Sequence, residues 1–431
     1  MKKHSIWREV EIDEFPALDS NISVDVLIVG GGISGILLAY ELNKRNIDYV
    51  LLEEDRIGDG ISKNTTAFLT ICHDYLYNQM IGDIGVSKTK EYISLNQNAI
   101  LEYKKLSSLY DFDFKECSNI IFSSYDSELL SKEKYALELL GVNVNEVDSI
   151  PLDIKFHKGL EIRSQATIHP LKFIKCISKN LNIYEHTRIE EVFNRIAYTK
   201  NHKITFNMIV IATNYPIINR FGFYFTKLTQ RRSYVVSIKS DKTIDDTYTS
   251  IDENGLYIRN YKNHIIVGGN DRDMKNQCFM DFTKTIGNIF PKDQIEYAWS
   301  NQDIVTLDHI PYIGRIDPFH KNYYVITGFN LYGFTWAMAA SKIIADMMID
   351  NKQCDLVDPS RMMRFKPFII NLSTYLKNFF SFKTPRCTHM GSALHYNRND
   401  DVYECPCHGS RFLSNGKVIS GPAKKRLKDK R

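Results

Sequence analysis

A chain of 431 residues with 43% apolar residues can build two or three domains with proper cores, and a formal charge of only +4 excludes a strongly basic nucleic-acid-coating protein. Of eight cysteines, five stand singly (Cys72, Cys117, Cys176, Cys278, Cys354), which fits a reducing compartment better than a disulfide framework and suits small core residues. Met1-Lys2-Lys3-His4 runs into charged residues instead of an apolar signal core, and no run reaches the roughly 18 apolar residues of a membrane span, so a cytoplasmic location without a span is expected.

The first element is a strand, Val24 to Val29, running into Gly30-Gly31-Gly32-Ile33-Ser34-Gly35 and then a helix from Ile36 to Asn46. Strand, glycine turn and helix form a dinucleotide fingerprint. Gly30 permits the tight turn, Gly32 admits a pyrophosphate to the backbone, and Gly35 lets the helix pack on the sheet, with the phosphates at the helix N-terminus. The next strand, Tyr49 to Leu52, ends in Glu53, where a carboxylate accepts from ribose hydroxyls and repels the extra phosphate of NADP. FAD or NAD remains. FAD is favoured by the polar loop Gly58 to Ala67, which is expected to lead into an apolar helix and to hold ribityl and diphosphate groups.

Residues 91–154 read as mainly helical, with Tyr103, Leu106, Leu109 and Tyr110 at helix spacing. Met208 to Asn214 is a buried strand ending in a small polar turn. Residues 221–300 alternate like strands, as in Tyr234 to Ile238 and Leu256 to Arg259. Asp308 to Gly314 and Gly328 to Phe334 then introduce a helix from Trp336 to Ile349. From Asp355 to Pro385 the apolar residues Phe365, Phe368, Ile369, Leu372, Leu376, Phe379 and Phe380 recur at three to four residue steps. That spacing predicts an amphipathic connector helix packed on its own protein rather than on a membrane, because few cations flank its apolar face.

The C-terminal segment carries Cys387-Thr388-His389 and, after fifteen intervening residues, Cys405-Pro406-Cys407-His408. Each loop offers one thiolate and one imidazole, and Gly391 and Gly409 follow the histidines. Two thiolates on one iron and two imidazoles on the other make a Rieske [2Fe-2S] centre. Zinc is the alternative, since a Cys2His2 set also satisfies a tetrahedral site, although zinc-finger spacing pairs like with like. Ser410 is placed to add a hydroxyl hydrogen bond to the cluster. The basic end, Lys424 to Arg431, reads as a solvated tail.

The segment CTHMGS, then CPCHGSRF, then Gly421-Pro422 resembles Rieske cluster-binding domains, with Cys387, His389, Cys405 and His408 as the implied iron ligands. Two departures accompany the resemblance. Ser392 stands where many members have a cysteine that staples the loops, leaving Cys407 as a free thiol, and Phe412 stands where high-potential members have a tyrosine. The implied potential lies below the top of a range of roughly −150 to +300 mV. There is no room before Cys387 for the usual base strands, so the unit at about 385–427 is a truncated one.

Residues 22–355 resemble the D-amino-acid oxidase and glycine oxidase superfamily of FAD-dependent oxidoreductases, supported by Ser5-Ile6-Trp7, Val267-Gly268-Gly269 and Trp299 to Asp303. That resemblance implies an α/β fold: a Rossmann-like FAD domain (about 22–90, 155–220 and 300–355) interleaved with an α+β substrate domain (about 91–154 and 221–299) whose antiparallel sheet roofs the flavin. A connector at 356–384 leads to the cluster unit. It also implies that Gly30, Gly32, Ser34, Gly35, Glu53, Glu54, Thr65, Thr66, Ala67, Ala212 and Thr213 contact FAD. Arg188 and Ile189 are assigned to the adenine end, and Gly314, Asn330 and Gly333 to loops closing over the flavin ring. His73, Tyr257 and Arg259 are the catalytic candidates, Arg259 as a clamp for a substrate carboxylate. Their plain alternatives are a locally hydrogen-bonded histidine and a surface arginine.

The expected activity is oxidation of a C–N bond in an amine or amino acid, with hydride passing to flavin N5 and electrons leaving through the cluster to an unidentified acceptor. A plain amine oxidase with a structural C-terminal unit, or a non-enzymatic redox or metal sensor, are the alternatives.

Overall fold

The computed structural model describes residues 1–73, 76–125, 128–218, 221–252, 255–273, 279–290, 294–361, 365–381, 385–398 and 401–427. Strand Ile22–Val29 lies inside a mostly parallel sheet because both its faces are covered: Val26, Leu27 and Ile28 are fully buried. It pairs in parallel with Lys203–Ile211 on one side and Tyr49–Leu52 on the other. The sheet path runs Tyr312–Arg315, Tyr323–Thr327, Lys203–Ile211, Ile22–Val29, Tyr49–Leu52, Ile183–Tyr184. Helices Ile33–Lys44 and Gly333–Ile349 pack against each other on one face, within one core that holds Val26, Ile36, Trp336 and Ala340. The strand order reverses direction beside Val29 and Ile211, which opens a crevice at the carboxyl ends of these strands.

A second, larger sheet follows the path Gln294–Thr306, Leu228–Lys239, His264–Asp273, Leu256–Tyr261, Thr247–Ser250, Lys115–Ser123, Lys158–Thr167, Phe68–Leu69. It is antiparallel except where Thr247–Ser250 runs parallel to Lys115–Ser123. A small third sheet of four three-residue antiparallel strands, His395–Asn397, Val402–Glu404, Arg411–Leu413 and Val418–Ser420, holds the C-terminal unit. The chain therefore has the expected α/β architecture with mixed sheets and a small C-terminal β unit.

Several local expectations are corrected. After Ala67 the chain forms the short strand Phe68–Leu69, paired with Ala166 and Thr167, not a helix. Lys158–Thr167, assigned from sequence to the FAD part, pairs with Lys115–Ser123 in the second sheet. Residues 91–154 hold more helix than strand, in Tyr77–Ser107 and Glu128–Leu139, but also carry strands Lys115–Ser123 and Val144–Val147, which the sequence reading did not anticipate. Tyr103 and Leu106 are buried on the long helix, whereas Leu109 lies beyond its end and is exposed. Cys72 is buried, Cys117, Cys176 and Cys354 are half-buried, and Cys278 lies outside the described residues.

Candidate functional site

The glycine turn sits where the chain leaves the central strand. Gly30 has φ +110°, and a Cβ there would stand 2.8 Å from the Ala212 carbonyl oxygen, so only glycine fits against the neighbouring strand end. A Cβ on Gly35 would lie 1.9 Å from the Gly30 carbonyl oxygen, the mark of close helix-to-strand packing. Gly32 caps helix Ile33–Lys44 with no side-chain hydrogen bond, and a Cβ on it would meet only Ser62 Oγ at 3.5 Å. The helix start thus opens into free space, the setting in which backbone N–H groups and the helix dipole bind a pyrophosphate.

That space is a cleft of about 1320 Å³, larger than the roughly 300–1,000 Å³ of a drug-sized pocket. Of the anticipated FAD contacts, Gly30, Gly32, Ser34, Ala212, Thr213 and Gly333 line it, as do Glu53, Glu54, Thr65, Arg188 and Ile189. Glu53 accepts from the Gly31 N–H at 2.6 Å and the Asp55 N–H at 2.9 Å, one bond per oxygen. Each oxygen keeps a lone pair for a ribose hydroxyl. Burial pushes its pKa up. At the same end Glu54 meets Lys424 at 2.8 Å and Arg188 at 3.6 Å. The donor groups, the open helix start and the cleft size all fit FAD.

Gly35, Thr66, Ala67, Gly314 and Asn330 stand back from this wall. Gly314 faces Pro359, whose Cδ a Cβ would meet at 3.0 Å. Asn330 braces the loop after Thr327: its Oδ1 accepts from the Thr306 N–H at 2.8 Å and its Nδ2 donates to the Gly328 carbonyl at 2.8 Å. Asn330 and the next residue, Leu331, have φ of 52° and 77°, a left-handed pair that non-glycine residues adopt only where the surroundings enforce it. Leu331 and Gly333 bring this loop to the cleft.

The three catalytic candidates are not brought together there. His73 is buried, with Nδ1 2.7 Å from the Tyr92 hydroxyl, Nε2 2.9 Å from the Thr70 carbonyl, and its ring stacked on Tyr332 at 3.9 Å. Burial pushes its pKa down to about 3, which keeps it neutral. Arg259 is also buried, and its Nη1 donates to the carbonyls of Thr66, Ala67 and Ile168 at 3.0, 2.8 and 3.1 Å. It buttresses the cofactor loop instead of facing a substrate, with Trp7 over its guanidinium at 5.4 Å. Trp7 in turn donates to the Thr65 carbonyl at 2.7 Å. Tyr257 packs edge-on to Phe68, and Gly268 leaves room for its ring.

The C-terminal unit is built from two matching loops. The Cys387 N–H donates to the Ser392 carbonyl at 2.8 Å and the Gly391 N–H to the Cys387 carbonyl at 2.9 Å; the Cys405 N–H to Ser410 and the Gly409 N–H to Cys405 repeat the pattern at 2.8 and 3.0 Å. Gly391 and Gly409 adopt φ of 75° and 69°, which closes each turn. The Cys387 and Cys405 thiols lie within hydrogen-bond reach of each other, with the Ser410 hydroxyl bonded to Cys387. The His389 and His408 rings meet edge-on, with centroids 5.3 Å apart. His408 Nε2 is 2.9 Å from the Phe225 carbonyl, so it donates there and leaves Nδ1 for a metal. Among the described residues no three His, Cys, Asp or Glu side chains converge as for one metal ion. A thiol pair beside an imidazole pair instead suits the two irons of a Rieske cluster. Ser392 Oγ faces the free thiol of Cys407 at 3.1 Å, and Phe412 is fully buried beside the cysteines.

Sequence reasoning missed how closely this unit joins the cleft. Thr388, His389 and Met390 line the same cleft as the glycine turn. Tyr215, after the Ala212 turn, packs on His389 and His408 at 5.5 and 5.6 Å between ring centroids. Gln302 Nε2 donates to the Gly409 carbonyl at 2.7 Å, and Arg232 forms a buried ion pair with Glu404 at 2.6 Å. The basic end is no free tail as far as Leu427, which is buried in the cluster unit, and Lys424 and Lys425 wall the adenine end of the cleft. The run of Trp299 to Asp303 was the available signal for Gln302; nothing in the sequence marked Tyr215.

Comparison with known proteins agrees with this geometry. Residues 25–347 match the family of FAD dependent oxidoreductases termed DAO, and residues 375–430 match the Rieske [2Fe-2S] domain. YhfW of Bacillus subtilis (strain 168), named as a Rieske 2Fe-2S iron-sulfur protein, is 27% identical over 98% of this chain and 96% of its own. Gamma-glutamylputrescine oxidoreductase of Escherichia coli (strain K12) is 23% identical over 78% of this chain and 85% of its own. The fold is also that of glycine oxidase from Geobacillus kaustophilus, with a TM-score of 0.68 at 17% identity over 79% of this chain and all of that one. The match to the Rieske domain sets aside the zinc alternative.

Proposed function

Since the chain belongs to the DAO family of FAD-dependent oxidoreductases and carries a Rieske domain, with FAD and a [2Fe-2S] cluster as its cofactors, we propose that it oxidises an amine or amino acid and delivers the electrons through the cluster to a separate acceptor. Bound FAD supplies the acceptance of hydride from carbon, and the cluster supplies one-electron transfer. The observation that carries this reading is the shared cleft: His389 and the Gly30 turn line one space, with Tyr215 against both cluster histidines.

The protein's own groups have distinct tasks in this reading. The helix start at Gly32 holds the pyrophosphate and Glu53 the ribose. Arg259 and Trp7 keep the Thr65 to Ala67 loop in place. Gln230, Asn301 and Gln302 also line the cleft, beside Asp303, 8% exposed, whose Oδ2 accepts from Asn301 Nδ2 at 2.6 Å. An acid in the lining attracts the ammonium group that amines and amino acids share. Relatives named for oxidation of a putrescine derivative and of glycine support the same substrate class.

The test is anaerobic titration of the iron-loaded holoenzyme with a panel of amines and amino acids, followed by visible and EPR spectra. Flavin bleaching together with a cluster signal of low average g value is the expected result. Bleaching without a cluster signal, together with oxygen uptake at the rate of turnover in a parallel aerobic assay, would make the protein a plain oxidase. No bleaching with any amine would overturn the substrate class.

A further inference from the structure

Where the last strand of the cluster unit ends, residues 420–425 are held from two sides. On one side they are tied to the ligand loops: the Thr388 hydroxyl donates to the Lys425 carbonyl, and Ser410 Oγ accepts from the Ala423 N–H at 3.0 Å. Thr388 stands between the ligands Cys387 and His389, and Ser410 follows the ligand His408 by two residues. Gly421 has φ +93°, and a Cβ on it would stand 2.6 Å from the Ser410 Cα, so the segment crosses directly over the second loop. On the other side the segment is tied to the flavoprotein body. Lys424 Nζ meets Glu54 at 2.8 Å, and the Ser420 hydroxyl reaches Gln302 Oε1 at 3.5 Å.

All six residues of the segment line the cleft that begins at the Gly30 turn. Lys424 is committed to Glu54, whereas Lys425 is exposed and makes no ion pair among the described residues, which leaves its charge for the pyrophosphate of a dinucleotide. A [2Fe-2S] cluster bonded to both loops fixes them relative to each other, and a unit of about forty residues depends on such a metal centre to hold its fold. The position of the segment therefore depends on the cluster. We propose that residues 420–425 are part of the FAD site and couple the two cofactors: FAD binds tightly only where the cluster is in place, and bound FAD holds the cluster unit against the body. By linkage the two effects are equal in free energy. The coupling involves the cofactors alone and stands apart from the substrate and acceptor proposed above.

The experiment compares the full-length holoprotein with the same protein after anaerobic removal of iron by a chelator. FAD released on dilution is read by its fluorescence after ultrafiltration, which gives the FAD dissociation constant of each form. Binding roughly tenfold weaker without iron is expected. Trp7, Trp299 and Trp336 are the chain's three tryptophans and all are buried in the body, so an unshifted emission maximum shows that the body stays folded. A second measurement leaves the iron in place: the double variant Lys424→Ala, Lys425→Ala should keep its iron and bind FAD about fivefold less tightly, with the difference shrinking as salt is added. Lys417→Ala, which removes a cation of the same unit outside the cleft wall, should bind FAD as the parent does. Equal FAD affinity with and without iron, FAD release that follows a red shift of the tryptophan emission, or a double variant indistinguishable from Lys417→Ala would each overturn the proposal.

Discussion

The missing staple in the cluster unit can be restored. Ser392 and Cys407 are both buried, at 2 and 7% exposure, with the hydroxyl oxygen 3.1 Å from the sulfur. Ser392→Cys therefore places two thiols in bonding reach without moving either loop. The crosslink would join residues separated by fifteen positions, and closing a loop of that length in the unfolded chain is worth about 3 kcal/mol. For a unit of about forty residues, near the lower limit of independent folding, this is a large fraction of its stability. Urea dependence for so small a unit is on the order of 1 kcal/mol per molar. The cluster's visible circular dichroism should then be lost at a urea concentration higher by about 3 M in the oxidised variant, and the gain should vanish on mild reduction. Thiol counting in denaturant must show the pair consumed. A formed disulfide with an unmoved midpoint would refute the loop-closure argument, and two thiols that stay free in oxidised protein would refute the placement of Ser392 opposite Cys407.

Two further outcomes follow from buried charges. Arg232→Met leaves Glu404 buried beside Arg411 alone, which stands at 3.4 Å; breaking a buried pair costs about 3–5 kcal/mol. The retained arginine puts the loss at the low end, read as earlier urea loss of the cluster signal. Burial pushes His73 down to about 3 and His169 down to about 4, whereas both titrate near 6.5 when unfolded. Between about pH 6.5 and 4 the unfolded chain binds protons that the folded one does not, so stability falls as pH falls. His73→Gln should flatten that slope by up to about 1.4 kcal/mol per pH unit in urea titrations at pH 7, 6 and 5.

Both cofactor sites were legible in the sequence because each rests on contiguous residues whose spacing is their geometry. Gly30, Gly32 and Gly35 are dictated by contacts within one strand-turn-helix unit, and the two Cys-His loops carry their own turn glycines. What failed was non-local. Arg259 reads as a carboxylate clamp until the structure shows the three carbonyls around it, two of them contributed from nearly two hundred residues away. His73 looks available until Tyr92 and Tyr332 enclose it. Strand Lys115–Ser123 was hidden because its polar outer half, Lys115 to Asn119, lacks an alternating apolar pattern and gains its order from pairing with Lys158–Thr167. The connector helix Phe365–Phe379 showed its amphipathic period in the sequence but not its direction: Tyr375 packs on Phe225 and His408 while Ile369, Ile370 and Leu376 lie exposed, and a period says nothing about which face the body covers.

The small size of the cluster unit and its tight docking explain each other. Four strands of three residues enclose a core of little more than Cys387, Leu394, Cys405, Cys407, Phe412, Ala423 and Leu427, too small to offset the chain entropy of ordering the unit. The flavoprotein body supplies the rest: Arg232 neutralises the buried Glu404, Gln302 donates to the Gly409 carbonyl, the Phe225 carbonyl accepts from His408, and Tyr375 and Tyr215 cover the histidine rings. The groups that stabilise the unit are thus the same ones that hold its ligand loops against the cleft. A unit stabilised in this way cannot swing away to a distant partner without losing the contacts that keep it folded. In the relay proposed above, the acceptor must therefore come to the docked cluster.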